Sequence, residues 1–208
     1  MLMATEGPSP AGEGPSPIRY ADELRRAFRL LNRFMVPLWR LGLGGWLNSW
    51  PSVGGRLMVL VHRGRRSGRE YRTPLNYAIV DDHLYCLAGF GEVADWYRNA
   101  LAVAGVEVWL PDGWWEAMAV DVSDDPQRLA FMRAVLIGSG FATYVAGINP
   151  RRLSDAQLHE KTRDYRLLRL DRTTARTGPG GPGDLAWVWP WTTGLLLVSA
   201  YRRRHRGS

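Results

Sequence analysis

The sequence predicts an α+β chain that is mainly β: a β-meander with one inserted helix, behind an N-terminal amphipathic helix. Three observations predict it. Across 56–122, apolar runs rich in β-branched and aromatic residues alternate with turn residues. Asp81-Asp82 and Asp112-Gly113 lie between such runs as tight-turn signals. Upstream, Leu24, Phe28, Leu31, Phe34, Met35, Leu38 and Leu41 recur at helical spacing, with Arg25, Arg26 and Arg33 between them.

Residues 1–17 are rich in Gly, Pro, Ser and Glu and are expected to be a disordered tail. The domain proper is expected over 18–176. Its helix begins near Ile18, and Pro37 is expected to kink or split it. Packing on a sheet is the favoured use of this helix, and its arginine-rich polar face also suits a membrane surface. Strands are expected over 57–63, 72–80, 83–88, 105–110 and 114–122. Glu92–Ala102 reads as a short helix between the third and fourth strands. Asp124-Asp125-Pro126 supplies an N-cap and an early-turn proline for a helix running to Ile137. A final strand is expected over 164–171.

Residues 177–208 form a separate segment, a Gly/Pro linker followed by an apolar, Arg-ended run. Leu185 to Tyr201 carries no charge and runs into Arg202-Arg203-Arg204-His205-Arg206. Spanning a bilayer takes about 20 apolar residues. This run is shorter and is interrupted by Pro190 and Gly194. Two readings stand: a last strand with a packed tail, or a tail associated with a membrane, its arginines on the cytoplasmic side.

Composition narrows the function classes. The formal net charge of the 208 residues is +7, and of 27 basic residues only Lys161 is lysine. A nucleic-acid surface normally mixes the two, and neither a recognition-helix nor a zinc pattern is present, so no nucleic-acid partner is expected. The single cysteine, Cys86, lies in an apolar run and reads as a buried, inert strand residue. The N-terminus lacks a basic-then-apolar leader pattern, which points to a cytoplasmic protein, with the inner face of the cell membrane as the surface its apolar segments would meet. His62, His83, His159 and His205 are scattered and read as structural or exposed. Ten tryptophans suit core mass or a flat aromatic cofactor site. Tyr144 reads equally as a core tyrosine and as a substrate-side residue, and no catalytic residue is assigned.

The stretch Arg63-Gly64-Arg65-Arg66-Ser67-Gly68-Arg69-Glu70-Tyr71-Arg72-Thr73-Pro74-Leu75 is the most informative. Between two strands it places a turn dense in arginine. Guanidinium forks and exposed backbone N–H groups suit a phosphate or carboxylate, so a ligand with an anionic handle is expected. The bland reading is a hairpin whose arginines only face water.

The order of motifs adds more. Gly-Arg-Arg-Ser-Gly, then Tyr-Arg-Thr-Pro-Leu, then Ala88-Gly89-Phe90-Gly91, then Asp95-Trp96-Tyr97-Arg98-Asn99 resembles the deazaflavin-dependent nitroreductase family over roughly Val53–Val122. That resemblance implies a split β-barrel and coenzyme F420, with flavin mononucleotide (FMN) as second choice. It implies hydride transfer from reduced F420 to a small-molecule acceptor: a quinone, a nitroaromatic or an activated alkene. The alternative is a split-barrel protein that binds a lipid or another cofactor, FMN or haem, without redox activity. By resemblance Arg65, Arg66, Ser67, Gly68 and Arg72 hold the anionic tail, and Thr73, Pro74 and Leu75 lie along the deazaflavin. A bulge or sheet edge is expected at Pro74, which has no N–H for a ladder. Ala88, Gly89, Phe90, Gly91, Asp95, Trp96 and Asn99 complete the implied cofactor site, with Asn99 anchoring the loop and Asp95 capping the helix. Many members carry Ser-Lys-Gly-Gly where this chain has Ala88-Gly89-Phe90-Gly91. Exposed sheet edges make a homodimer plausible.

Overall fold

The computed structural model describes residues 33–49, 54–140, 143–144 and 147–206. The tail expected over 1–17 and the start of the expected N-terminal helix lie outside the described residues.

Six antiparallel strands carry the fold: β1 (Leu57–Arg63), β2 (Glu70–Val80), β3 (His83–Ala88), β4 (Gly105–Leu110), β5 (Gly113–Asp121) and β6 (Arg166–Ala175). They close into a barrel in the order β1-β2-β3-β6-β5-β4, β4 returning to β1. Alternation along each strand decides what fills it. Met58, Leu60, Leu84, Cys86, Val108, Leu110, Leu168 and Leu170 point inward and are buried. Burial pushes the Cys86 thiol up to about 12, so it stays protonated, as its apolar setting predicts.

The turns set the register. Asp81 and Asp82 both adopt left-handed backbone, φ 49° and 63°, as a two-residue hairpin turn requires, and Val80 pairs with His83. In the β4–β5 hairpin Leu110 pairs with Gly113, so the turn is Pro111-Asp112 and Gly113 opens the strand.

Helices cover the outer faces. Helix α1, described over 33–40, continues through Pro37 rather than splitting there. It lays Trp39 on Val59, Val61 and Trp109, outside β1 and β4. A short helix, α2 (Gly44–Leu47), follows. Helix α4 (Arg128–Gly138) packs Phe131, Met132, Val135 and Leu136 against Ala78 and Tyr85 outside β2 and β3. Its expected cap sits one turn too early. Asp125 accepts from Gln127 N–H at 2.7 Å and shapes the turn before the helix, which starts at Arg128. The helix expected over 92–102 is two pieces, a 3-10 turn (Gly91–Val93) and α3 (Asp95–Ala102), with extended Ala94 between them. Helix α5 (Asp155–Lys161) opens on a capping box formed by Ser154 and Gln157.

Two further segments differ from expectation. Strand β6 runs four residues past Asp171 although Arg172-Thr173-Thr174-Ala175 show no apolar alternation. Cation–π contacts extend it: Arg172 lies over the Trp115 ring at 5.1 Å and Arg176 over Trp114 at 5.3 Å, across a register shift between β5 and β6. The C-terminal run is not a strand but a helix, α6 (Val188–Arg206). Its apolar residues are consecutive rather than alternating, and Pro190 falls in the first turn, where no N–H is needed.

Candidate functional site

The arginine-rich loop joins β1 to β2 at one end of the barrel. Gly64 N–H donates to Arg69 O and Gly68 N–H to Gly64 O, each at 2.8 Å, closing a tight turn. Gly68 holds φ +64°, a conformation that disfavours any side chain, and among the described residues no heavy atom beyond its chain neighbours lies within 4 Å of where its Cβ would be. The turn is therefore open on its outer side. Ser67 Oγ accepts from Arg69 N–H at 3.3 Å and lies 3.3 Å from the Tyr71 hydroxyl.

Asn99 latches this loop to α3. Its Oδ1 accepts from Arg65 N–H at 3.1 Å and from Arg65 Nη1 at 2.9 Å. Both partners are donors, so the amide orientation is fixed and Nδ2 faces His62 Nδ1 at 3.4 Å as a donor. His62 then carries its proton on Nε2, which donates to Thr73 Oγ1 at 3.0 Å. The ring is buried and stacks on Tyr71 at 5.9 Å. Thr73, His62, Asn99 and Arg65 thus form one polar chain, ending at Asp95, whose carboxylate lies 3.0 Å from Arg65 Nη1. Asn99 anchors the loop as its motif implied. Asp95 does not cap the helix; Ala94 occupies the cap position and offers no side-chain acceptor.

Burial lowers the His62 pKa from 6.5 to about 4. A proton on Nδ1 would also face the Asn99 amide donor. The native state therefore binds fewer protons than the unfolded chain between pH 4 and 6.5. Stability from this group is whole above pH 6.5, falls as pH drops to 4 and levels off below. The full effect is roughly 3 kcal/mol. Urea unfolding at pH 7 and pH 4.5 is expected to show a larger stability loss in the parent chain than in His62→Gln. Equal losses would refute the neutral buried imidazole.

The remaining implied site residues divide. Arg66 is exposed, and its side chain has no partner among the described residues. Arg72 stands on the opposite face of β2 from Tyr71 and Thr73. It pairs with Glu70 and lies over the Trp109 ring at 5.4 Å, so strand alternation separates it from the loop's anion-facing side. Leu75 packs on the barrel core, and Thr73 is engaged by His62. Pro74 sits at an edge, as expected, and without a bulge: β3 pairs with β2 only over Tyr77–Val80, and β1 pairs continuously over Glu70–Asn76. Tyr77 N–H donates to Arg56 O on the β1 side. Backbone groups alternate sides, so Pro74 turns its missing N–H to the free edge, where no ladder bond is lost.

Ala88 points into the barrel core and lines no outer site, contrary to its implied role. Gly89 and Phe90 are exposed. Gly91 is structural, with φ +62° and the Asp164 carbonyl 2.4 Å from where a Cβ would stand. Trp96 is half-buried against the barrel core and meets Tyr97 edge-on at 6.2 Å. The Tyr97 hydroxyl donates to Asp121 at 2.7 Å, and burial together with that bond raises its pKa to about 12. Tyr144 is exposed and is no core residue.

The structure thus brings together Arg65, Arg66, Ser67, Gly68, Asp95 and Asn99, and sets Arg72 and Ala88 apart. His62 and Tyr71 belong to the site and were missed. Their signal was the β1 alternation, which puts His62 inward after Met58 and Leu60, and the pairing that sets Tyr71 beside it. Chemically, a turn with an unpaired guanidinium, a hydroxyl and open backbone meets a helix start with uncapped N–H groups. That donor set fits an anionic group. Among the described residues no three His, Cys, Asp or Glu side chains stand close enough to hold a metal ion.

The closed six-stranded barrel with helices on its outer faces is the split β-barrel that the motif order implied. Residues 42–153 match the model of the F420H(2)-dependent quinone reductase family, and the chain belongs to that family. It is an F420-dependent oxidoreductase. No curated protein matches the chain. Similar solved structures include an F420-H2 dependent reductase, FDR-A, at 16% identity, covering 56% of this chain and 94% of that one, TM-score 0.40. A conserved hypothetical protein from Mycobacterium tuberculosis is 17% identical over 66% of this chain and 82% of its own, TM-score 0.43. The haem storage protein HutZ from Vibrio cholerae is 17% identical over 58% and 83%, TM-score 0.39.

Proposed function

We infer that the chain uses reduced coenzyme F420 to reduce a quinone, with nitroaromatics and activated alkenes as further acceptors to be assayed. When bound, the cofactor supplies the hydride. The chain's own residues bind and orient. Arg66, Ser67 and Gly68, with the first N–H groups of α3, receive the anionic tail. Arg65 directs its Nη1 to Asp95 and Asn99, and so positions the loop. The free edge of β2 about Pro74, with Gly89 and Phe90 exposed beyond the end of β3, would accept the ring system. The observation that carries this reading is the junction itself, an open arginine turn latched by a buried asparagine onto an uncapped helix start.

The test is a fluorescence titration with oxidised F420 and, separately, with FMN. F420 is expected to bind and FMN to bind far more weakly. Arg66→Ala removes a charge-assisted contact and is expected to weaken F420 binding about 10- to 100-fold. Arg72→Ala, on the other face, is expected to change it by less than about threefold, the scale of a screened surface charge. Preference for FMN, or full affinity in Arg66→Ala, would overturn the reading.

A further inference from the structure

We propose that α6 is an interfacial membrane anchor, laying its apolar face on a bilayer that carries anionic lipid. The start of the segment is fixed to the body. Arg40 Nη2 lies 2.6 Å from Asp184 Oδ2, Leu185 N–H donates to Arg40 O at 2.9 Å, and Trp189 Nε1–H donates to Leu41 O at 2.9 Å. Beyond that tether the helix leaves its apolar side chains in water. Trp191 and Leu196 are each 70% exposed, Leu195 68% and Leu197 66%. Contiguous apolar exposure of this kind marks a binding surface.

Helical spacing organises it. Trp191, Leu195 and Val198 share one face and, with Pro190 and Gly194, line a shallow apolar groove. Thr192 and Ser199 lie off that face, and Leu196 and Leu197 carry apolar surface round to the far side of the helix. The charge then changes abruptly: Arg202, Arg203, Arg204 and Arg206 follow within one and a half turns.

Length decides how such a helix meets lipid. The uncharged helical part, Val188 to Tyr201, rises about 21 Å. A hydrocarbon core is about 30 Å thick. Among the described residues no helix is long and apolar enough to cross a membrane. One end is held by the folded body and the other by arginines, so both ends stay on the same aqueous side and the helix lies in the interface plane. The arginines complement anionic headgroups, which favours lipid over a second copy of the chain. Two copies joined side by side in parallel would bring their arginine clusters together. Docked this way, the barrel sits at the surface in which apolar quinones dissolve, and the proposal holds for any cofactor.

Flotation of the full chain with phosphatidylcholine vesicles, with and without phosphatidylglycerol, tests it. Binding is expected with phosphatidylglycerol and is expected to fall with added salt. Leu195→Asp with Val198→Asp, and separately Arg202→Ser with Arg203→Ser, are each expected to reduce it at least about tenfold. Tryptophan quenching by brominated lipid in the unsubstituted chain is an independent measurement, and its absence would overturn the proposal. So would failure to float, or equal flotation by parent and variants. A chain that does not float but dissociates from dimer to monomer on Leu195→Asp would show the face to be a joint between copies, and the lipid proposal would fall. F420 affinity, read on the same variants, is expected to be unchanged, so the two readings fail separately.

Discussion

Replacing Asn99 by alanine is expected to destabilise the protein by about 2–4 kcal/mol and to abolish measurable F420 binding, because three polar contacts, one buried and two part-buried, end on this one amide. Arg65 N–H and Nη1 lose their shared acceptor, and His62 Nδ1 loses its donor. Among the described residues Arg65 then keeps Asp95 as its side-chain hold on α3, and that carboxylate is largely exposed. An exposed ion pair contributes little, so it does not substitute for the buried amide. The conservative variant separates anchoring from charge. Asn99→Asp keeps an acceptor for Arg65 and removes the donor to His62, which favours a proton on Nδ1. Loop anchoring is expected to recover in part while the His62 pKa rises toward or above 6.5, read by the ring's NMR titration. Asn99→Ala with parent stability and parent affinity would show that the latch holds nothing.

Much of the barrel was legible because its strands obey a two-residue period between strong turn residues. Leu57–Arg63 and His83–Ala88 begin and end where their apolar runs do. Two of the departures share a cause: the deciding contact is remote in sequence. Strand β6 is extended by Trp114 and Trp115, which no local pattern in Arg172–Ala175 reveals. Helix α3 starts late because Gly91 is committed to the left-handed region against a carbonyl 73 residues away. At the site, the motif order put Asn99 beside the loop, and its amide does hydrogen-bond Arg65 there. It could not say which way each arginine points. Arg65 turns inward to Asn99 and Arg72 turns out over Trp109, a distinction set by strand alternation and by a partner on another strand. His62 looked incidental because its partners, Thr73 and Asn99, lie 11 and 37 residues along the chain.

Gly91→Ala is the second large effect, expected at about 3–4 kcal/mol of lost stability together with weakened F420 binding. Left-handed backbone alone costs an alanine about 1–2 kcal/mol. The new methyl would also stand 2.4 Å from Asp164 O, a backbone atom at the entry to β6 that no rotamer change can remove. Relief therefore requires moving the chain. What would move is the 3-10 turn that feeds α3, where Arg98 Nε donates to Glu92 O at 2.5 Å and Glu92 pairs with Arg166. Shifting that turn displaces Asp95 and Asn99 relative to Arg65, so stability and cofactor affinity should fall together. Gly89→Ala is the matched control two residues away, since its Cβ would meet only the Tyr165 ring at 3.9 Å, an ordinary contact. It is expected to stay within about 1 kcal/mol of the parent, the range of a surface substitution. Urea unfolding of the pair, with F420 titration of Gly91→Ala against the parent, decides the matter. If Gly91→Ala behaves like Gly89→Ala, the approach of Gly91 to the Asp164 carbonyl does not govern where α3 begins.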